Sequence, residues 1–154
     1  MTYVVRGLDP APYRHLVGLS DEQLAEQGVV RMTVEGDGYP CRVSLTDRSV
    51  GEKVLLLNYV SHDVANPYRA SHAIFVTEGE EAPAEYVNAV PPVFGPRVLS
   101  LRGFDSAGKM VDAILTHPDE ADAGIRRLFG NPEVATIHAH NATRGCFAAK
   151  IERN

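Results

Sequence analysis

The 154 residues of this chain predict an α+β fold: a single domain, mostly antiparallel β-sheet with two or three short helices. Three observations carry that expectation. Short segments of alternating apolar and polar residues recur along the chain between Gly, Asn, Asp and Ser turns, the pattern of hairpin-connected strands. A single longer segment, Pro118 to Phe129, has helical periodicity with charges placed to suit a helix dipole. Hydrophobic residues make up 44% and charged residues 23%, values that give a chain of this length one core without help from metals or disulfides.

The elements follow in order. Asp9 and Pro10 fit an N-cap and first helical position, and Tyr13, Leu16 and Val17 supply the apolar stripe of a short helix. Ser20 with Gln23 has the form of a capping box, opening a second short helix that runs to about Gln27 and stops at Gly28. Val29 to Val34, Tyr39 to Thr46 and Lys53 to Tyr59, separated by Gly36-Asp37-Gly38 and Ser49-Val50-Gly51, predict an antiparallel meander. His72 to Thr77 is a further strand, and Arg97 to Phe104 and Lys109 to Leu115 flank the turn Asp105 to Gly108. In the helix opened by Pro118, Asp119, Glu120 and Asp122 lie at the positive end and Arg126 and Arg127 near the negative end. Its apolar face is Ala121, Ile125, Leu128 and Phe129, and Gly130 closes it. A final hairpin pairs Ile137 to His140 with Phe147 to Ile151 around Asn141 to Gly145. Two stretches fit no element: Ser61 to Ser71, and Glu78 to Pro96, which is long and proline-rich enough to suggest a lid.

Charge and composition exclude several classes of function. No apolar run approaches a membrane span, and Arg6 and Asp9 interrupt the N-terminus before any leader-like stretch, so a cytoplasmic protein without a membrane partner is expected. Net charge is −5 and the only adjacent basic pair is Arg126-Arg127, which argues against nucleic acid as a partner. In a reducing compartment Cys41 and Cys146 are expected as free thiols. Nothing in the pattern sets the oligomeric state, and a homodimer is compatible with it.

The chemistry concentrates in the last hairpin, Ile137-His-Ala-His-Asn-Ala-Thr-Arg-Gly-Cys-Phe147. With a five-residue turn, His140 and Cys146 become opposed neighbours with Cβ atoms about 4.5–5.5 Å apart. Cys146 is then a candidate nucleophile activated by His140, with Asn141 or His138 orienting the imidazole. Strand alternation places His138, His140, Cys146 and Lys150 on one face and Ile137, Phe147 and Ile151 on the other. If the strands share one sheet, Arg42 and Arg102 join the polar face, and the set attracts an anion. A solvated face would alternate in the same way, but it would favour Thr, Lys and Glu over His, Cys and Arg. Cys41, on the side of Val43 and Leu45, reads as packing. Pro67 stiffens the turn Asn66 to Arg69, presenting Tyr68 as a contact and Arg69 either as a bidentate anion clamp or as the partner of a local acid. A zinc site from His138, His140, Cys146 and His62 or water is a second reading. No Cys-x-x-Cys or His-Glu-x-x-His supports it, so no metal is assigned. No phosphate loop, nucleophile elbow or dinucleotide fingerprint is present, and no cofactor is named.

Taken together, Tyr39-Pro-Cys-Arg42 with Ser44-Leu45, Leu55 to Leu57 with Tyr59, Pro67-Tyr-Arg69, Ile74-Phe-Val76, Leu99-Ser-Leu-Arg102 and Ile137-His-Ala-His-Asn-Ala142 with Gly145-Cys146 resemble a bacterial family catalogued as domain of unknown function 1203. The likeness spans nearly the whole chain. It implies no activity, since none is assigned to the family, but it singles out Arg42, Tyr68, Arg69, Arg102, His140, Asn141 and Cys146. His72-Ala73 departs from the Gly-Pro associated with relatives, and His62 lies in a stretch expected to vary. The expectation is a protein that binds a small anionic ligand at an Arg/His/Cys cluster, with Arg42, Arg69 and Arg102 holding negative charge. A thiol- or metal-dependent enzyme centred on His140 and Cys146, and an interaction module without catalysis, are the alternatives.

Overall fold

The computed structural model describes residues 1–80 and 82–154. Nine strands form two antiparallel sheets. β1 (Tyr3–Arg6), β5 (Glu85–Val87), β6 (Leu99–Phe104), β7 (Met110–Thr116), β8 (Thr136–Asn141) and β9 (Phe147–Arg153) make a six-stranded sheet in the order β5-β1-β9-β8-β6-β7. The smaller sheet has the order β2-β3-β4, from Val30–Thr33, Lys53–His62 and Ala70–Thr77. Helix α1 is Asp21–Glu26 and α2 is Ala121–Phe129, and Ala11–Leu16 and Pro92–Phe94 form 3-10 turns. The α+β class and mostly antiparallel pairing are those expected.

Local signals act where the chain places them. The Ser20 hydroxyl accepts from the Gln23 amide at 3.2 Å while the Gln23 side chain accepts from the Ser20 amide at 2.9 Å, the reciprocal capping box that starts α1. In α2, Ala121, Ile125, Leu128 and Phe129 are buried against Leu99, Leu101, Ile137 and Ala139 of the large sheet. The helix begins at Ala121, one turn later than Pro118 suggests. Gly124 lets it sit close, since a Cβ there would lie 2.5 Å from the Thr116 methyl.

Three expectations are corrected. Tyr39 to Thr46 is a tight turn, with the Leu45 amide bonded to the Cys41 carbonyl at 2.9 Å. It sends Cys41 and Val43 into the core under the small sheet and Leu45 into the core under α2. β2 therefore pairs directly with β3. Glu78 to Pro96 is not a loose lid: β5 pairs with β1, and Val93 and Phe94 are buried in the core. Glu81 alone lies outside the described residues. β1 itself goes unpredicted, although Tyr3-Val-Val-Arg6 is β-prone, because four residues at a terminus carry little pattern. Finally, the face bearing His138 and His140 is closed over by the small sheet, while α2 covers the opposite face.

A close backbone approach holds the 41–45 turn. Leu8 donates its amide to the Arg42 carbonyl at 2.8 Å, Ala84 donates to the Val43 carbonyl at 2.9 Å, and a Cβ on Gly7 would fall 1.9 Å from that same oxygen. We expect Gly7→Ala to cost about 3 kcal/mol, the upper end for forced overpacking, because main chain must move. Gly36→Ala, with open space around it, should stay within about 0.5 kcal/mol. Urea denaturation of the two variants checks the contrast.

Candidate functional site

The hairpin that carries the chemistry is built with one residue more than simple alternation allows. His138 pairs with Lys150 and Ala139 with Ala149, but His140 then pairs with Phe147, so Ala148 is a bulge. Two consequences follow. Phe147 leaves the side of Ile151 and joins the histidines, with ring centroids 5.5 Å from His138 and 5.8 Å from His140. Cys146 is no longer opposite His140 and falls in the turn, where Gly145 takes the left-handed conformation (φ 77°) and the Asn141 amide donates to the Cys146 carbonyl at 2.9 Å. The expected cross-strand His140 and Cys146 neighbours are thus replaced: His140 Nδ1 bonds the Gly145 carbonyl at 2.9 Å.

Between the sheets lies a layer of aromatic and imidazole rings. From the small sheet come Tyr59, His62 and His72; from the large one come Phe104, His138, His140 and Phe147. His62 is 4.1 Å from Phe104 and 5.0 Å from His138, His72 is 4.8 Å from His140, and Tyr59 is 5.4 Å from Phe147. His138 and His140 are 3% and 2% exposed, and His138 Nδ1 has no hydrogen-bond partner among the described residues. Burial holds both far below the ordinary 6.5, His138 at about 3 and His140 at about 4. Around His138, His62, His140, Lys150 and Arg102 depress it further. For His140, Arg102, His72 and Arg42 push down against the Gly145 carbonyl, which favours the charged ring. With His62 Nε2 committed to the Gly108 carbonyl at 2.8 Å, these rings face partners other than a shared centre. Among the described residues no group of three or more His, Cys, Asp or Glu side chains is placed to hold a metal ion.

Cys146 instead meets Arg42. The Arg42 guanidinium is 3% exposed and donates Nε to the Phe147 carbonyl (2.8 Å), Nη1 to the Pro40 carbonyl (2.6 Å) and Nη2 to Cys146 Sγ (3.3 Å). Asn141 Nδ2 also lies 3.3 Å from that sulfur. No carboxylate pairs with Arg42 among the described residues, and burial lowers its affinity for the proton. This group forms one wall of a groove of about 660 Å³ whose lining also includes His72, Arg97 and Arg144. Arg97 is matched by Asp47 through two bonds of 2.6 and 2.8 Å. Arg144, exposed on the hairpin turn, makes no polar contact among the described residues. No Asp or Glu is among the described residues that line the groove.

Sequence reasoning put Arg42 and Cys146 on one polar face if the strands shared a sheet, with Asn141 as an orienter of His140; the structure brings Arg42 Nη2 and Asn141 Nδ2 each to 3.3 Å from the Cys146 sulfur. The same reasoning placed His138, His140 and Arg102 on one face, and they share it, but behind the groove in the ring layer; Arg102 Nε bonds Ser100 Oγ at 3.3 Å and finds no acid among the described residues. Tyr68 and Arg69 are elsewhere, on an exposed turn where Arg69 pairs with Asp63 at 3.1 Å and Tyr68 sits 6.5 Å from Phe104. Arg97 and Arg144 went unnamed. The signal for Arg144 was an arginine inside the very turn that carries Cys146, passed over as loop.

A family model described as "Protein of unknown function (DUF1203)" matches residues 38–153. The chain belongs to this family. Every groove-lining residue of this DUF1203 chain except Met32 falls within the matched span. No curated protein and no solved structure matches it.

The ring layer sets a pH dependence. Below pH 6.5 the unfolded chain protonates His138 and His140 while the folded chain refuses the protons until about pH 3 and 4, so stability is full above 6.5 and declines as pH falls. We expect a loss of about 2 kcal/mol from each histidine between pH 6.5 and 4.5. Urea midpoints at those two pH values should show it, with a flatter profile in His138→Asn and His140→Asn, whatever their stability at neutral pH.

Proposed function

We propose that the protein binds a small organic anion in the groove beside Cys146, held by Arg42 and Arg144. The observation that carries this reading is the charge of the lining: two arginines without an acidic partner, Arg42 and Arg144, beside an Arg97 matched by Asp47, with no Asp or Glu among the described lining residues, on a chain of net charge −5. Arg42 is the core of it. A buried guanidinium that bonds only two carbonyls and a sulfur keeps its full charge, and the field of that charge emerges where water is partly excluded. Arg144 adds an exposed second donor to the lining, suited to a bidentate grip on carboxylate or phosphate. A cytoplasmic setting belongs to the same reading, with Cys41 and Cys146 as free thiols.

A thiol-dependent enzyme is the second reading, favoured by one observation: two N–H donors, from Arg42 and Asn141, point at Cys146 Sγ. Such donors would orient the sulfur toward a molecule in the groove. His140 then acts through Gly145, holding the turn that carries the sulfur, rather than as its base.

Phosphate and succinate, titrated at ionic strength held constant with sodium chloride, test the anion reading. Each should bind saturably and slow iodoacetamide alkylation of Cys146, read by mass spectrometry against buried Cys41. Arg144→Glu should weaken both effects at least tenfold without loss of fold, since the residue is exposed. Binding indifferent to that substitution, or alkylation unchanged by either anion, overturns the reading.

A further inference from the structure

The other half of the groove is apolar, and it narrows the ligand. In β3 and β4, Leu55, Leu57, Ile74 and Val76 face the core. Alternation therefore turns Leu56, Ala73 and Phe75 to the outside. Val30 of β2 pairs with Leu56, and Leu56 with Phe75, so an apolar row crosses all three strands; Met32 lies on the same side. A sheet with one face on a core normally shows polar residues on the other. Here one row of the outward face is apolar and partly open, with Val30 53% exposed. Met32, Leu56, Ala73 and Phe75 line the same groove as Arg42, Arg144 and Cys146.

The link between the two halves is a backbone hydrogen bond and a β-bridge. The Arg42 amide donates to the Phe75 carbonyl at 3.0 Å and Cys41 bridges Phe75 in parallel, so the segment carrying the cation is laid along the outer edge of β4. Phe75 is further steadied by the Tyr39 ring at 5.2 Å. Charge and apolar surface thus adjoin on one rigid frame. At about 660 Å³ the groove is of the size that holds a ligand of several carbons, and inorganic phosphate alone would leave most of it empty.

We infer that the ligand is amphiphilic: an organic anion whose charged head meets Arg42, Arg144, Asn141 and Cys146 while an apolar body of several carbons lies on Met32, Leu56, Ala73 and Phe75. This deepens the anion reading and rests on it. A bare dianion satisfies only the cationic half, and a neutral apolar molecule leaves the arginine charge unanswered. Each methylene laid on the platform raises affinity several-fold for the same head.

Octanoate, acetate and octanol separate these cases on the intact chain, read by protection of Cys146 from iodoacetamide and by isothermal titration. Octanoate should bind at least tenfold more tightly than acetate and than octanol. Arg144→Glu should weaken octanoate and acetate alike. Leu56→Thr, which keeps a strand-forming residue, and Ala73→Gln, on an exposed position, should cut octanoate affinity toward that of acetate and leave acetate unchanged. If acetate and phosphate bind but octanoate binds no better, the amphiphile inference fails and the anion reading stands. If octanol matches octanoate and Arg144→Glu is silent, or if nothing binds, both fail.

Discussion

The burial of Arg42 is the constraint around which the rest is arranged. Three of its N–H groups reach the Pro40 and Phe147 carbonyls and the Cys146 sulfur, its amide holds Phe75 of the small sheet, and its carbonyl accepts from Leu8. One residue therefore ties the N-terminal segment, both sheets and the final hairpin. Truncating it would leave two carbonyls without their donor in a site that water reaches poorly, a loss larger than the net worth of the bonds themselves. The chain bends sharply to deliver it: Leu45, three residues on, is fully buried with a left-handed φ of 54°, strained for a leucine and held there by the α2 core.

The ring layer is the complement of that constraint. A six-stranded sheet with α2 on one side must bury its other face too once the small sheet closes on it, and the residues there are polar in type. Histidine solves the problem by staying neutral: burial strips the proton, after which the ring packs as an aromatic against Phe104 and Phe147. The nearby Arg102, bonded only to Ser100 among the described residues, reinforces neutrality at His72, His138 and His140 by repulsion. Neutral rings behind and a charged guanidinium in front leave the positive potential of the groove to the arginines.

Much of this was legible in local signals, and the misreadings have identifiable causes. The capping box at Ser20, the apolar face of α2 and the hairpins around Gly108 and Gly145 depend on neighbours in sequence, which is why they could be read. The alternation of Cys41, Val43 and Leu45 looked like a strand because all three are buried, but they enter two different cores through a turn, and periodicity cannot tell one core from two. The bulge at Ala148 leaves no mark in composition: a single inserted residue exchanges the faces of Phe147 and moves Cys146 from His140 to Arg42 and Asn141. For Arg69 the sequence offered both an anion clamp and the partner of a local acid, and Asp63, six residues before it, is that acid at 3.1 Å.

An unpaired buried cation is costly where an aliphatic side chain of similar volume would pack as well. Several other arginines have carboxylate partners, Arg31 with Asp21 and Glu78, Arg48 with Glu52 and Glu80, Arg126 with Asp122, while Arg102 and Arg153 have none among the described residues but are less buried than Arg42. The buried one, Arg42, falls where the surface is concave, and a further unmatched arginine, Arg144, lines the same groove. On the proposed reading the missing carboxylate is the ligand's. A molecule that binds the folded chain alone stabilises it in proportion to the logarithm of its concentration over Kd, so the anion would return to the fold the pairing that the sequence leaves out at Arg42. Structural cost and binding capacity are then the same charge, seen without and with its partner.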